Sequence, residues 1–171
     1  MLNISKFNIP KNDSVKEALQ ALIWYNSPEL FRIAGIGLAH NGAYYTKLHF
    51  YSHYTKEEYA GMHSQMINEA EKLLIGVKDN PNLTDVEKTL ILHDRLALHC
   101  EYDNDTFEFD YENMPQSSYN AYGVLVLRDA VCMGYALAYD YLLEQVGIQS
   151  DYCSSDELNH AWNIVYINNI I

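Results

Sequence analysis

Two side chains in the last third of the sequence have types and positions that suit nucleophilic catalysis. Cys132 stands where a helix is predicted to begin, in "DAVCMGYALAYDYLLEQVG". Unpaired N–H groups and the macrodipole favour negative charge at a helix N-terminus, so a thiol there is stabilised as the nucleophilic thiolate. His160 opens the predicted strand "HAWNIVYI" and is the best placed general base. By residue type alone both could equally be structural, because most cysteines and histidines in a chain of this size do structural work.

Local sequence signals predict the elements that would position these side chains. Thr-x-x-Glu capping boxes beginning at Thr55 and Thr84 predict the starts of two helices. Asn41 followed by Gly42, between two β-prone runs, predicts a hairpin. Gly147 is predicted to end the helix that begins near Cys132.

Hydrophobic periodicity and helix breakers predict the other elements. In chain order they are a helix from residue 13 or 14 that Pro28 ends, strands near 31–39 and 43–52, the two capped helices, an acidic loop at 103–116, a short strand within 119–127, a helix at 131–146, and strands in "IQSDYCSS" and "HAWNIVYI". The predicted apolar face of the second capped helix consists of Val86, Leu90, His93, Ala97 and Cys100. We therefore expect His93 to be a buried, hydrogen-bonded core residue and Cys100 to be inert.

Composition bounds the class of protein. The chain has 171 residues, of which 49% are hydrophobic and 20% charged, as in a globular domain with a proper core. No apolar run approaches the roughly 20 residues of a membrane span, and the first residues show no secretory signal. The net charge of -12 argues against nucleic acid and anionic membranes as partners.

Metal sites have little support in the sequence. The three cysteines are widely spaced, with no C-x-x-C, so neither a disulfide framework nor a zinc site is indicated. His93 and His99 lie on different faces of one predicted helix and cannot share an ion. The acidic stretch "DNDTFEFDYE" lacks the glycine and the closing glutamate of an EF-hand loop. The residues therefore indicate no metal site, with a regulatory cation at the acidic stretch as a minor alternative.

The sequences around Cys132 and His160 resemble the core of the bacterial transglutaminase-like superfamily. The matching stretches are "YNAYGVLVLRDAVCMGYALAYDYLLEQVGI" and "NHAWNIVYI", and "LILHDRLALHCEYD" resembles the family's upstream helix. The N-terminal "SPELFRI" and the predicted hairpin are similar, more loosely, to an extension of many bacterial members. The resemblance covers most of residues 27–169.

This resemblance implies an α+β fold of the papain-like type. A helix would carry the nucleophile and pack on an antiparallel sheet carrying the histidine. The implied domains are an N-terminal helix–hairpin–helix extension at 1–84 and a core at 85–171, together one compact unit. The implied chemistry is acyl transfer through a thioester on protein or peptide amides, which covers transamidation, deamidation and peptide hydrolysis. No cofactor is implied, although calcium regulates some animal members.

The resemblance also assigns roles to individual residues. Cys132 matches the nucleophile, with its backbone N–H in the oxyanion hole, and His160 matches the general base. Tyr122 is the expected side-chain donor near the oxyanion, ahead of Tyr119. Asn163 is expected to support the end of the histidine strand rather than to act in catalysis.

The sequence departs from the family at its third catalytic residue. The family has an aspartate on the strand after the histidine strand, and no Asp or Glu follows His160 here. Loss of the orienting carboxylate from a serine-enzyme triad costs about 10⁴ in rate, so we predict feeble activity from this chain alone. Either the chain is a piece of a longer protein or another chain covers the exposed sheet edge, through which it could self-associate.

Two functions of different classes therefore stay open. The first is a cysteine acyltransferase or peptidase, favoured by the intact "VCMGY" and "HAWN". The second is a non-catalytic module that keeps the groove for peptides or cell-wall material, favoured by the missing carboxylate. Family resemblance suggests a secreted or cell-surface location, which nothing in the sequence itself indicates.

Overall fold

The computed structural model describes residues 1–25, 28, 31, 33–104 and 115–167. The chain divides into two compact units, Met1–Tyr59 and Ala60–Ile171. This division falls earlier than the predicted boundary after residue 84. Most of the long helix before that boundary is in the second unit, where Arg95 Nη1 donates to its carbonyl oxygen at Leu73, at 2.6 Å. The predicted acidic loop lies mostly outside the described residues.

Among its described residues, the first unit contains a small antiparallel sheet and one α-helix that lies wholly within it. Its strands are β1 (Leu2–Asn3), β2 (Ile33–His40) and β3 (Tyr45–Ser52), in the order β1-β3-β2, and its helix is α1 (Asp13–Tyr25). The turn predicted at Asn41 is present, with the Asn41 side chain accepting from the Tyr44 N–H at 2.9 Å. The buried core of this unit is Ile4, Tyr45 and Leu48. The predicted hairpin and first helix are confirmed.

The second unit mixes helices with short strands. In chain order its elements are α2 (Lys56–Leu74, which begins in the first unit), α3 (Asp85–His99), β4 (Glu101–Tyr102), a 3-10 turn (Gln116–Tyr119), a π-helical turn (Gly123–Leu127), β5 (Asp129–Ala130), α4 (Cys132–Gln145), β6 (Ser150–Ser155) and β7 (His160–Val165). None of the described helices is long and apolar enough to cross a membrane.

Both predicted capping boxes form and fix the starts of α2 and α3. The Thr84 hydroxyl oxygen accepts from the Glu87 N–H at 3.2 Å, and the Glu87 carboxylate accepts from the Thr84 N–H at 2.8 Å. Thr55 and Glu58 make the same pair of bonds at the same distances. These reciprocal bonds satisfy N–H groups that the first turn leaves unpaired.

Two local predictions are wrong. Residues Gly123–Leu127 form a π-helical turn rather than part of a short strand, because a short apolar run does not distinguish a buried strand from a buried helical segment. In α3 the fully buried side chains are Leu92 and Leu96, whereas Leu90 of the predicted face is 58% exposed. The predicted face is therefore rotated away from the one that the helix buries.

The last two strands of the second unit, β6 and β7, pack against α4. β6 and β7 pair in antiparallel register, with Ser155 opposite His160, and α4 packs against both strands. In the part of the chain that the structure describes, β7 pairs with β6 alone. β4 and β5 form a two-residue parallel pair that joins the end of α3 to the start of α4.

Candidate active site

Cys132 is fixed by the chain that leads into its helix. It is the first residue of α4, and the extended Val131 is the N-cap. The Val131 N–H donates to the Ser118 carbonyl at 3.0 Å, and the Ala130 carbonyl accepts from the Asp103 N–H at 2.9 Å. The thiol therefore follows a segment held on both sides by backbone hydrogen bonds.

Two glycines allow the chain to pack closely around this segment. A Cβ at Gly134 would lie 2.7 Å from the Ser118 carbonyl oxygen, and a Cβ at Gly123 would lie 2.0 Å from that of Ser117. Real Cβ atoms do not approach oxygen so closely. A larger residue at Gly134 would push the 3-10 turn away from α4, and one at Gly123 would push it away from the π-helical turn. The glycine two residues after Cys132 is thus required for the packing of the helix start.

A buried polar pair lies beneath the same turn. Ser118 and Asp103 are 3% and 6% exposed, and the Ser118 hydroxyl donates to Asp103 Oδ2 at 2.8 Å. Removal of a buried donor leaves its partner without the hydrogen bonds it had in water. This pair links the residue after β4 to the turn that contacts the start of α4.

His160 has a less enclosed position. It is the first residue of β7 and is exposed, and its ring stacks on Trp162 with centroids 6.2 Å apart and an interplanar angle of 20°. The Asn163 side chain donates to the Ala136 carbonyl of α4 at 3.0 Å and so ties β7 to the nucleophile helix. Among the described residues, no carboxylate forms a hydrogen bond or ion pair with His160.

One pocket of about 380 Å³ gives Cys132 and His160 a common surface. Its walls come from α3, β4, α4 and β7 and are mostly apolar. Its other lining residues are His93, Leu96, Ala97, Tyr102, Tyr135, Ala136, Tyr139, Ala161, Trp162 and Asn163. These residues include no Lys, Arg, Asp or Glu, so the pocket suits an uncharged group.

His93 lies on the pocket wall rather than in the core. Its side chain is 65% exposed, with Nδ1 3.1 Å from Asp94 Oδ1, and its ring meets Tyr139 edge-on with centroids 6.0 Å apart. The prediction of a buried His93 is therefore wrong. Helical spacing showed which residues share its face but not that the pocket leaves this face open.

Tyr102 is a pocket residue for which the sequence analysis predicted no role. Its ring stacks on Tyr135, with centroids 6.2 Å apart and an interplanar angle of 20°. Burial raises the pKa of Tyr102, and the negative charge of the Cys132 thiolate raises it further, whereas hydrogen bonding with the Cys132 backbone N–H lowers it. The Tyr102 hydroxyl therefore lies near both the thiol and the backbone N–H of Cys132. Pairing across β4 and β5 brings it there, and no local pattern reveals that pairing.

The other two pocket tyrosines hold backbone groups. The Tyr135 hydroxyl donates to the Cys100 carbonyl, and that of Tyr139 donates to the Thr89 carbonyl at 2.8 Å. Burial raises the pKa of Tyr139 to about 12 and also raises that of Tyr135. Both hydroxyls therefore stay protonated at neutral pH and remain with their carbonyls.

The tyrosines expected near the oxyanion lie elsewhere. The Tyr122 hydroxyl donates to Gln65 Oε1 of α2 at 2.9 Å, and its ring is buried. Tyr119 ends the 3-10 turn and is half-buried. Neither lines the pocket that holds Cys132. Asn163 lines the pocket and donates to the Ala136 carbonyl.

The remaining cysteines differ from Cys132 in their surroundings. Cys100 is 6% exposed, and burial raises the pKa of its thiol. Cys153 is half-buried within β6. All three cysteines are free thiols. In the described ranges, no group of three or more His, Cys, Asp or Glu side chains is arranged to hold a metal ion.

Comparison with known proteins supports the fold alone. No protein-family model and no curated protein matches the sequence. A solved structure described as "Crystal structure of a TGase" is similar, with a TM-score of 0.52 and 15% identity, covering 84% of this chain and 45% of that one. The chain thus spans less than half the length of that protein. At this identity the likeness shows an α+β fold similar to that of a TGase and assigns no residue a role.

Proposed function

We propose that the second unit is a transglutaminase-like, papain-like core that transfers acyl groups from protein or peptide amides through a thioester on Cys132. One observation carries this proposal. Cys132 at the first residue of α4 and His160 at the first residue of β7 line the same apolar pocket. A nucleophilic thiol needs a base nearby, and the shared pocket supports that role for His160.

The reaction would take place in two balanced steps. The Cys132 thiol gives its proton to His160, its sulfur bonds to the amide carbon, and the C=O π pair moves to oxygen. This oxyanion then collapses as the C–N bond breaks and the leaving amine takes a proton from protonated His160. An amine or water next attacks the thioester carbon and gives a proton to His160. The thiolate leaves with its electron pair, so no oxidant or metal is consumed.

The lining of the pocket favours an uncharged acyl group. A carboxylate or ammonium there would lose its hydration without a Lys, Arg, Asp or Glu partner among the lining residues, which is costly. A glutamine or asparagine amide, or a peptide carbonyl beside an apolar residue, meets no such cost. We expect these amides to be the acyl donors.

A second candidate function follows from the exposure of His160. A base without an orienting carboxylate among the described residues spends little time in one productive orientation, and such a loss costs about 10⁴ in rate in a serine enzyme. Turnover by this chain is therefore expected to be slow. If it is absent, the same pocket would serve as a binding site for apolar peptide segments.

Alkylation of the three cysteines tests the proposal without a known substrate. Iodoacetamide at pH 7, followed by peptide mass spectrometry, measures each rate in the same chain. We expect Cys132 to react at least about tenfold faster than Cys100, whose thiol is buried and held protonated. Cys153, which is half-buried, serves as a second internal reference.

Transfer is then measured with dimethylated casein and a fluorescent primary amine, with ammonia release recorded in the presence and absence of the amine. We expect the Cys132→Ala variant to lose both signals and the Cys153→Ala variant to keep them. If Cys132 reacts no faster than Cys153 and no ammonia appears, the catalytic proposal is wrong and the binding function is favoured.

A further inference from the structure

The side chain of Tyr102 is brought to the nucleophile by the backbone. Tyr102 pairs with Ala130 in the parallel ladder of β4 and β5, and the Asp103 N–H donates to the Ala130 carbonyl at 2.9 Å. Cys132 follows Ala130 by two residues, and both Tyr102 and Cys132 line the pocket. The ladder therefore places Tyr102 at the start of α4, beside Cys132.

The Tyr102 ring is held while its hydroxyl stays available. The ring stacks on Tyr135, whose own hydroxyl donates to the Cys100 carbonyl. Tyr139 likewise donates to a carbonyl, that of Thr89. Of the three tyrosine hydroxyls in the pocket, that of Tyr102 is the one not bound to a backbone carbonyl among the described residues. Tyr102 is also 39% exposed, so a substrate can reach it.

The position of the hydroxyl relative to Cys132 defines what it can do. It lies beside the thiol and beside the Cys132 backbone N–H, both of which act on its pKa. Since that pKa is raised from 10.0, the hydroxyl keeps its proton at neutral pH and is a hydrogen-bond donor. When sulfur attacks a carbonyl carbon, the oxygen becomes an anion next to the same N–H. Two donors then converge on one oxygen.

We propose that the Tyr102 hydroxyl is a catalytic donor that, with the Cys132 backbone N–H, binds the oxyanion formed when Cys132 attacks a carbonyl. The assignment rests on the acyl-transfer function proposed above. It gives to Tyr102 the role that the sequence analysis expected for Tyr122. A donor of this kind acts on the oxyanion of the tetrahedral state, so its loss weakens carbonyl addition far more than simple alkylation.

The test compares two reactions of the same sulfur. Acetyl-phenylalaninal, a neutral aldehyde with an aromatic side chain suited to this pocket, adds to the thiolate. The S–C bond forms, the C=O π pair moves to oxygen, and the tetrahedral hemithioacetal results. Iodoacetamide instead displaces iodide and forms no oxyanion. The aldehyde dissociation constant is read from protection of Cys132 against iodoacetamide.

We expect Tyr102→Phe to raise the aldehyde dissociation constant about 100-fold, the loss typical of one oxyanion donor. Its iodoacetamide rate without aldehyde should change far less than the aldehyde dissociation constant. The ring and its stacking on Tyr135 are retained in this variant, and a thermal unfolding curve checks that the fold is kept. Tyr44→Phe is the control, since the exposed Tyr44 lies outside the pocket, in the first unit.

Each other outcome overturns the inference in a recognisable way. Equal aldehyde affinity in Tyr102→Phe and the original chain, or no aldehyde binding while Cys132 alkylates rapidly, excludes the donor role and leaves the nucleophile intact. Loss of alkylation as well as aldehyde binding would mean that Tyr102 positions the thiol instead. Slow alkylation of Cys132 in the original chain would show that the proposed function itself fails.

Discussion

The two sides of the pocket are built differently. The nucleophile side is buried and tied by backbone bonds around Cys132, by the Ser118–Asp103 pair, and by the close approach at Gly134. The histidine side is a two-stranded hairpin with an exposed His160, tied to α4 by the Asn163 side chain. The fold thus fixes the thiol by packing and leaves the base to a few polar contacts. Stability and catalysis should therefore depend on different sides.

The largest expected effect comes from crowding the nucleophile side. Gly123→Ala places a Cβ 2.0 Å from the Ser117 carbonyl oxygen, so backbone must shift, and we expect a loss of about 3 kcal/mol in the free energy of unfolding. Gly61→Ala is the matched control, because nothing lies within 4 Å of its added Cβ in α2. There we expect a gain of about 1 kcal/mol from helix propensity. Urea denaturation followed by circular dichroism measures both, and equal effects would contradict the role given to Gly123.

The buried polar pair should give the next largest effect. Ser118→Ala removes the hydroxyl that donates to Asp103, and we expect a loss of about 2 kcal/mol because a buried carboxylate loses a donor. Ser64→Ala serves as the comparison, since the Ser64 hydroxyl binds a carbonyl within exposed helix surface. A loss in Ser118→Ala no greater than that in Ser64→Ala would mean that the pair does not support the nucleophile side.

Substitution on the histidine side should affect catalysis more than stability. Asn163→Ala removes one hydrogen bond to α4, so we expect a loss of about 1 kcal/mol in stability with the alkylation rate of Cys132 unchanged. The rate of ammonia release from casein should fall by more than the lost stability explains. A small displacement of His160 from the reacting atoms lowers the catalytic rate steeply. If Asn163→Ala destabilises the fold as much as Ser118→Ala, the contrast between the two sides is false.

The smallest expected effect is a pH dependence at the start of α3, outside both sides. Hydrogen bonds from the Thr84 N–H and hydroxyl lower the pKa of Glu87 from its ordinary 4.5. A lowered folded pKa means stabilisation that is present above 4.5 and is lost as the pH falls through the folded pKa. Glu87→Gln should flatten this part of the stability curve in thermal unfolding between pH 3 and 6. An unchanged slope would argue against the capping carboxylate.

Local signals in the sequence predicted most of the helices and the hairpin, but they did not predict which side chains line the pocket. Thr55 and Thr84 marked helix starts because a capping box acts within four residues, and Gly147 follows the end of α4 as predicted. Tyr102 was missed because its approach to Cys132 depends on a two-residue parallel pairing between distant segments. Such a pairing leaves no periodicity in either segment, so the sequence analysis assigned the role to Tyr122, which the family resemblance suggested.

The faces of the helices illustrate the same limit. The sequence grouped His93 with apolar neighbours at helical spacing, and those residues do share a face. What covers that face is decided by α4 and β7, and in the structure part of it borders the open pocket. Periodicity therefore predicts which side chains point together, whereas burial depends on partners that only the tertiary structure supplies.

The parallel pairing of Tyr102 with Ala130 also has a consequence for folding kinetics. The two residues meet only after the chain between them has closed a loop, and the entropy lost in closure must be recovered by contacts made afterwards. We therefore expect the pocket to be assembled late, after α3 and α4 have formed from local contacts. Pulsed alkylation during refolding would record this step, since Cys132 is half-buried in the folded chain and is open to the reagent before the pocket forms. The alkylation rate of Cys132 would then report when this loop closes during refolding.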